Sequence, residues 1–514
     1  MSLVKTAGIL AATALATAVV TAQDNTATRL RTFISDLVPP GIDTGIHDVD
    51  PPRPPRPYPT DLKARADRST YLRGSIVAKF KPGTAPASQR LMVNRIGAST
   101  MEVPADADFT IVNIDPNADP EAAAETLARQ PDVEYAQARY LVHPMFVPND
   151  PLYAQQWNFP AIDMEHAWDL NPGATSSIIV AVIDSGVAYR NAVLRREIPE
   201  WTATDGISEF SFPALGTVDI PFAAAPDLAG PNRFVAPRDF IWNDTDPLDM
   251  DGHGTHVAGT IGQLTNNAVG VAGMAFNVRI MPVKVIDSLW DDILGSPFQG
   301  TDDVVARGIR YAVDNGAKVL NMSIGRSGPP SPLMRDALIY ATSHGAFVAI
   351  AAGNDFEEEN PREWPAAYAP GIQGAVAVGA IGRDRQRAYY STVGSYVELA
   401  APGGNQRTGG TTGGILQQTF DLDFVDTFTF GPSRYSPPRF DVFAYEFFQG
   451  TSMATPHVSG FAALLLQQGI TDPGAIEAAM EQFATDLGPA GRDNEFGYGL
   501  INPRASLRGL GLLR

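Results

Sequence analysis

Apolar runs of about six residues recur through the second half of the chain. Residues 178–183, 281–286, 346–351 and 375–380 are almost wholly apolar and predict strands buried on both faces, and 318–323, with Val319, Leu320 and Met322, predicts another strand. Between them, 304–314 and 338–344 carry helical periodicity. This alternation, which sets in near Asn149, predicts an α/β fold: a mostly parallel sheet flanked by helices, with working residues at the carboxyl ends of strands. Residues 71–143 read differently. Strands are predicted at 75–81, 100–103, 109–114 and 133–140, and helices at 86–96 and 120–129, the second capped by Asp119. The order β-α-β-β-α-β is that of a small ferredoxin-like α+β domain.

Polarity elsewhere adds boundaries. Residues 1–22 read as a signal peptide: Lys5, an apolar stretch over 6–20, then the small residues Val20-Thr21-Ala22. The stretch is short for a span of about 20 residues, so cleavage is expected, with no membrane attachment afterwards. Residues 23–70 form a Pro-rich linker around Asp50-Pro51-Pro52-Arg53-Pro54-Pro55-Arg56-Pro57. The main domain, 144–514, carries two segments that interrupt its pattern, 188–237 and 403–447, the latter read as a loop or hairpin. Over the 514 residues, 44% hydrophobic and 18% charged composition allows a large core. The net charge of -19 argues against nucleic acid as a partner. The absence of cysteine removes disulfides, thiolate metal sites and Cys nucleophiles together.

Four residues at strand ends or helix starts then stand out. Asp184 follows the run Ala181-Val182-Ile183, where a carboxylate would orient a base; Asp-Ser-Gly is equally good turn chemistry. His253 sits between two glycines in Asp251-Gly252-His253-Gly254-Thr255-His256, a pair that could also ligate metal, although the zinc pattern spaces its histidines differently. Ser452, in Gly450-Thr451-Ser452-Met453-Ala454-Thr455-Pro456, opens a long apolar helix; a helix N-terminus favours developing negative charge, and a plain cap is the alternative. Pro456 is expected to be harmless so near the helix start. Asn354, after a buried strand, could donate to an oxyanion. Together they supply a nucleophile, a base, an orienting carboxylate and an anion donor.

The blocks around Asp184, His253 and Ser452 closely resemble those of the subtilisin-like (S8, thermitase/subtilisin-type) serine peptidases, over roughly 149–504. The resemblance implies a secreted serine endopeptidase, extracellular or periplasmic and monomeric, acting on extended polypeptides through an acyl-enzyme with no catalytic cofactor. Asp184, His253 and Ser452 would be its triad and Asn354 its oxyanion donor. Activity would fall below about pH 6.5, the ordinary His value. Residues 71–143 would be an inhibitory propeptide that caps the active site and is self-cleaved between about Arg139 and Asn149. No domain is expected after 504. A catalytically inactive binding protein, or an acyl transferase or peptide ligase on the same triad, are the competing functions.

Further residues follow from the same resemblance. Ser323, Ile324, Gly325, Ala351, Ala352 and Gly353 match the walls of the S1 pocket. Asp355 and Glu363 match its rim and base, where carboxylates would favour Lys or Arg at P1. Structural calcium is implied at up to two sites. Leu264, Asn267, Val269 and Val271 match one calcium loop, with Asp150 as its N-terminal carboxylate. The second carboxylate, expected in a Pro-Asp-Leu after the catalytic Asp, reads as missing, with Val193-Leu194 in its place. Asp239, Asp244 and Asp246 would form the other site.

Overall fold

In the computed structural model, residues 71–98, 100–140, 146–204, 209–426 and 434–509 are described, so the expected signal peptide and linker lie outside them. The chain divides into two compact units, one built on residues 71–140 and the other spanning Phe146–Ser506.

The smaller unit runs β1 (Tyr71–Phe80), α1 (Pro86–Asn94), β2 (Thr100–Glu102), β3 (Thr110–Asn113), α2 (Pro120–Ala128) and β4 (Val133–Tyr140). Its sheet order is β2-β3-β1-β4, the ferredoxin-like arrangement expected. Asp119 caps α2 by accepting the Glu121 amide at 3.0 Å. The alternation of β1 turns Ile76 and Ala78 inward onto Val112, Leu127 and Val133.

The larger unit contains β5 (Ile179–Asp184), β6 (Ala192–Ile198), β7 (Trp201–Thr204), β8 (Glu209–Phe212), β9 (Gly216–Phe222), β10 (Arg238–Asp239), β11 (Arg279–Lys284), β12 (Val319–Met322), β13 (Phe347–Ala351), β14 (Ala375–Ile381), β15 (Leu399–Pro402), β16 (Ile415–Phe420) and β17 (Phe443–Phe448). The longer helices are α3 (His253–Gly262), α4 (Asp302–Asp314), α5 (Pro332–Ser343), α6 (Thr451–Gln467) and α7 (Pro473–Gln482). The central sheet has seven strands in the order β10-β11-β5-β12-β13-β14-β15, every pair parallel. Helices cover it, so strand interiors such as Val180, Leu320 and Val348 are fully buried. The parallel register puts the ends of β5, β12 and β13 along one edge.

Both interrupting segments are hairpins, and they meet. β6 pairs antiparallel with β9, enclosing β7 and β8, while β16 pairs with β17. Phe222 stacks on Phe440 at 4.8 Å, and the Ala223 amide donates to the Phe440 carbonyl at 3.1 Å. Trp201 stacks on Phe212 at 4.2 Å and donates its indole N–H to the Tyr435 hydroxyl at 2.8 Å.

Candidate functional site

Asp184 ends β5 and is wholly buried. Its Oδ1 accepts the Ser185 amide at 2.8 Å and lies 2.7 Å from His253 Nδ1, so Nδ1 carries the proton and Nε2 is left as the basic nitrogen. Gly252, with φ of 101°, turns the chain sharply into α3 so that His253 opens the helix. Burial alone would hold His253 below its ordinary value. The charge and hydrogen bond of Asp184, with Asp251 and Asp249 behind it, outweigh burial and raise it to about 9.

His256 behaves oppositely. Its Nε2 lies 3.0 Å from the Ile415 carbonyl and 3.2 Å from that of Glu446, and its ring stacks on Phe448. Burial lowers it to about 3. It is a neutral packing residue of α3, with Nε2 committed to backbone rather than to metal.

Ser452 is the second residue of α6. Pro456 lies beyond the first turn of that helix, so its missing N–H does cost a partner, that of the Ser452 carbonyl. The Ser323 hydroxyl fills the gap, donating to that carbonyl at 2.8 Å. Ser323 is itself held by the Asn321 amide at 3.0 Å, and Asn321 accepts from Ser459 of α6 at 2.8 Å. The Ser452 hydroxyl donates to the Ser323 carbonyl at 3.1 Å, and among the described residues no hydrogen bond joins it to His253. Asn354 follows β13. Its Oδ1 accepts the amide and hydroxyl of Thr451 at 2.9 and 3.0 Å, which turns the amide nitrogen of this exposed side chain to solvent beside the start of α6.

Two wholly buried carboxylates beside these segments escaped the sequence reading. One is Asp249, also wholly buried. Its Oδ1 accepts the Ser185 hydroxyl at 3.0 Å and the amides of Asp251 and Gly252 at 3.0 and 2.9 Å. Its Oδ2 accepts the amide and hydroxyl of Thr255 at 3.0 and 2.6 Å. One side chain thus fixes the segment that carries His253, and Lys284 anchors the preceding residue through the Leu248 carbonyl at 3.0 Å. Only its place two residues before Asp251 in an acidic stretch hinted at this. An amide cannot accept at both ends, so Asp249→Asn should lower kcat by about 10- to 100-fold with KM little changed. It should also move the pH–rate midpoint downward, because a charge that raises His253 is removed. Steady-state kinetics across pH measures both.

The other is Asp227, in Pro226-Asp227-Leu228. The Pro-Asp-Leu read as missing is present, displaced along the sequence by the β6–β9 hairpin, and Val193-Leu194 belong to β6. Asp227 is wholly buried. Its Oδ1 accepts the Asn267 side-chain amide at 2.8 Å, and its Oδ2 accepts the Val271 amide at 3.1 Å. Asp150, also buried, accepts the amides of Asn266 and Asn267 at 2.7 and 3.2 Å. Burial, helped by the charge of Asp150, pushes Asp227 up to about 6, and burial also raises Asp150. Among the described residues no Lys, Arg or His pairs with either carboxylate. The Asn267 side-chain oxygen accepts the Val269 amide at 2.8 Å and keeps a second lone pair; with the carbonyls of Leu264, Val269 and Val271, the donor set is the hard-oxygen type that suits calcium.

The other expected calcium site is not gathered. Asp246 is clamped by the Arg190 guanidinium and the Tyr189 hydroxyl. Asp239 turns Oδ1 onto the amides of Ile241 and Trp242, and Asp244 accepts the Asp246 amide. The one trio of acidic or His side chains within 4.8 Å of one another among the described residues is Glu398, Glu477 and Glu481, elsewhere in the fold.

The S1 candidates lie together. Ser323, Ile324 and Gly325 follow β12, Ala351 ends β13, and Ala352 and Gly353 follow it. The Gly353 amide donates to Thr451 Oγ1 at 3.2 Å. Glu363 is buried between Gly325 and Gly353.

A serine hydroxyl at a helix start, an imidazole ordered by a buried carboxylate and a side-chain amide turned to solvent, all on one edge of a parallel sheet, are the groups that Asp-His-Ser hydrolases use. The Subtilase family profile matches residues 175–499, and the profile of the fervidolysin N-terminal prodomain matches 57–138. The chain is 31% identical over 449 residues to the thermophilic serine proteinase of Bacillus sp. (strain AK1), covering 86% of this chain and 89% of that one. It is 32% identical over 347 residues to thermitase of Thermoactinomyces vulgaris, covering 67% and 94%. A solved protease of Pseudoalteromonas arctica aligns with a TM-score of 0.52 at 30% identity, over 71% of this chain and all of that one. The chain belongs to the subtilase family: it is a subtilisin-like serine peptidase with a fervidolysin-like N-terminal prodomain.

Proposed function

We propose that this chain is a secreted endopeptidase, made as a precursor that removes its own prodomain, with Ser452 as nucleophile, His253 as base and Asp184 as its orienting carboxylate. The 2.7 Å contact between Asp184 Oδ1 and His253 Nδ1 carries this reading, because it leaves His253 Nε2 as a proton acceptor on the edge where Ser452 stands. Rotation about the Ser452 side chain breaks its bond to the Ser323 carbonyl and turns Oγ toward Nε2. His253 takes the proton as Oγ attacks the scissile carbonyl. Asn354 Nδ2 and the Ser452 amide hold the oxyanion. The imidazolium then gives its proton to the leaving amine, and water releases the acyl group by the same steps in reverse roles. The substrate lies extended along the segments after β12 and β13, bonded through its main chain.

Calcium, bound by Asp150, Asp227, Asn267 and the carbonyls of Leu264, Val269 and Val271, would contribute stability and no chemistry. The N-terminal 22 residues direct secretion, and maturation falls between Arg139 and Asn149, a stretch whose residues 141–145 lie outside the described ones. Among the described residues no helix is long and apolar enough to cross a membrane. The protease reading is tested by casein hydrolysis and by reaction with a fluorophosphonate, which should modify one residue, Ser452, and abolish activity. A protein that neither cleaves casein nor takes up the reagent would refute it.

Because His253 must be neutral to act, its raised value has a kinetic signature. kcat/KM should climb about tenfold per pH unit below about 9 and level off above it. This moves the acid limb well above the 6.5 of an ordinary imidazole. A plateau already reached at pH 7 would contradict the electrostatic role of Asp184.

A further inference from the structure

Thr419 is wholly buried in β16, where its hydroxyl must find an acceptor. It donates to the carbonyl of Gly252, the residue before His253, at 2.7 Å. The same carbonyl accepts the His256 amide at 3.1 Å, the first hydrogen bond of α3, and the Gly252 amide donates to Asp249 Oδ1 at 2.9 Å. Gly252 is thus gripped at both ends. With φ of 101° and no side chain, it is the joint on which the imidazole would otherwise swing. A methyl group added there would come 2.7 Å from Thr419 Oγ1 and 3.3 Å from Phe420 Cδ2, so β16 lies directly against the joint.

The rest of the hairpin holds the same helix. One turn along α3, His256 lies against the Ile415 carbonyl of β16 and the Glu446 carbonyl of β17, and its ring stacks on Phe448 at 4.4 Å. Alternation along β16 puts Gln417 on the same face as Thr419, and its Oε1 would lie 3.0 Å from a methyl group added to Gly259 of α3. The two strands are paired from Ile415 opposite Phe448 to Phe420 opposite Phe443. β17 ends at Phe448, and the chain then runs through Gln449 and Gly450 into Ser452 at the start of α6. One strand therefore grips the joint of the imidazole while its partner leads to the serine.

We infer that Thr419 is a positioning residue for His253: its hydroxyl, presented by the β16–β17 hairpin, fixes the Gly252 peptide and with it the placement of the imidazole relative to Ser452. The inference rests on the reading of His253 as the base. Asp249 restrains the amide side of Gly252 and Thr419 the carbonyl side. Without the Thr419 hydroxyl the Gly252 carbonyl still accepts the His256 amide, so α3 starts as before. The peptide is then held by one bond at its carbonyl where two held it, and is free to tilt. Misplacing a reacting group by about 1 Å costs up to about 10²-fold in rate.

The test compares Thr419→Val, which keeps the shape and loses the hydroxyl, with Thr419→Ser, which keeps the hydroxyl. Mature enzyme is assayed on one peptide anilide, and calorimetry follows folding. Thr419→Val should lower kcat by about tenfold or more with KM within about twofold of wild type, and Thr419→Ser should bring kcat back to within about twofold. The rate of fluorophosphonate labelling, which also needs the base, should fall in Thr419→Val alongside kcat, while Tm hardly moves. Should the Val protein fail to fold, Thr419→Ala is read against Thr419→Ser in the same way. An unchanged kcat in Thr419→Val, a loss confined to KM, or an equal loss in Thr419→Ser would overturn the inference. His253→Ala, expressed from Gln23, separates the two readings: it should stay full-length and inactive. If it matures and cleaves the peptide, the reading of the base falls and the inference with it; if it is inactive beside a fully active Thr419→Val, the inference alone falls.

Discussion

Ser452→Ala is expected to lower casein hydrolysis by about 10⁶-fold, the size of effect established on subtilisin, a member of this same family. The substitution removes one oxygen at the second residue of α6. The carbonyl of residue 452 still receives the Ser323 hydroxyl, and Asn354 still holds Thr451, so the helix start should keep its geometry. Among the described residues the lost hydroxyl bonds only to the Ser323 carbonyl, so the cost in stability should be small. Thermal unfolding should therefore hardly change while activity disappears. The same variant reports on maturation. Expressed from Gln23, wild type should shed its N-terminal segment and gain activity with time, whereas Ser452→Ala should stay full-length. Mass spectrometry follows the first and casein hydrolysis the second. If both proteins are processed alike, an outside protease does the cutting and self-maturation is refuted.

The second large effect concerns Asp150 and Asp227. Two buried carboxylates within each other's field, with no basic partner among the described residues, repel one another unless a cation joins them. Calcium held at about 1,000 times its Kd would stabilise the folded state by about 4 kcal/mol. For a body of this size that corresponds to roughly 5 °C in Tm. A chelator should thus lower Tm by about that amount, and calcium in excess should restore it. Asp227→Asn should lower Tm without chelator and make the protein indifferent to it. Asp246→Asn is the contrasting variant, since Asp246 is bound to Arg190: its Tm should keep the full response to chelator. Calorimetry with and without calcium decides. A wild-type Tm that ignores chelator would remove calcium from this fold.

Much of this architecture was legible because its signals are local. A run such as Ile178 to Ile183, apolar at every position, fits a strand covered on both faces, and a charged residue straight after it can only lie at the sheet edge. The Gly-Thr-Ser-Met-Ala-Thr-Pro block sits within one turn and a half of a single helix, so it keeps its spacing whatever the rest of the chain does. The ferredoxin-like order was readable for the same reason, each strand being closed by its own turn residues. What escaped reading was set by contacts distant in sequence. Strands β6 to β9 are short and partly exposed, with no continuous apolar run, and Phe222 of β9 packs on Phe440, far along the chain. Asp227 was missed because its distance from Asp184 was taken as the signal, and that distance had changed, whereas the tripeptide around it had not. Asp249 was missed because nothing in its neighbours tells a buried acceptor of five hydrogen bonds from a solvated acid. The ion pair of Asp246 was invisible for a related reason: its partner, Arg190, lies far upstream.

The β6–β9 hairpin has a consequence for how such a chain can grow. Ala192 and Phe222 face each other across its base, so the chain leaves and re-enters the body at nearly one place. Whatever lies above that base adds length without moving Asp227 relative to Asp184. The base therefore works as a splice point: a segment can be lengthened, trimmed or exchanged there while the parts it interrupts keep their positions. Variation in this enzyme's outer surface can thus proceed independently of its chemistry, provided that the partner hairpin carrying Phe440 changes in step.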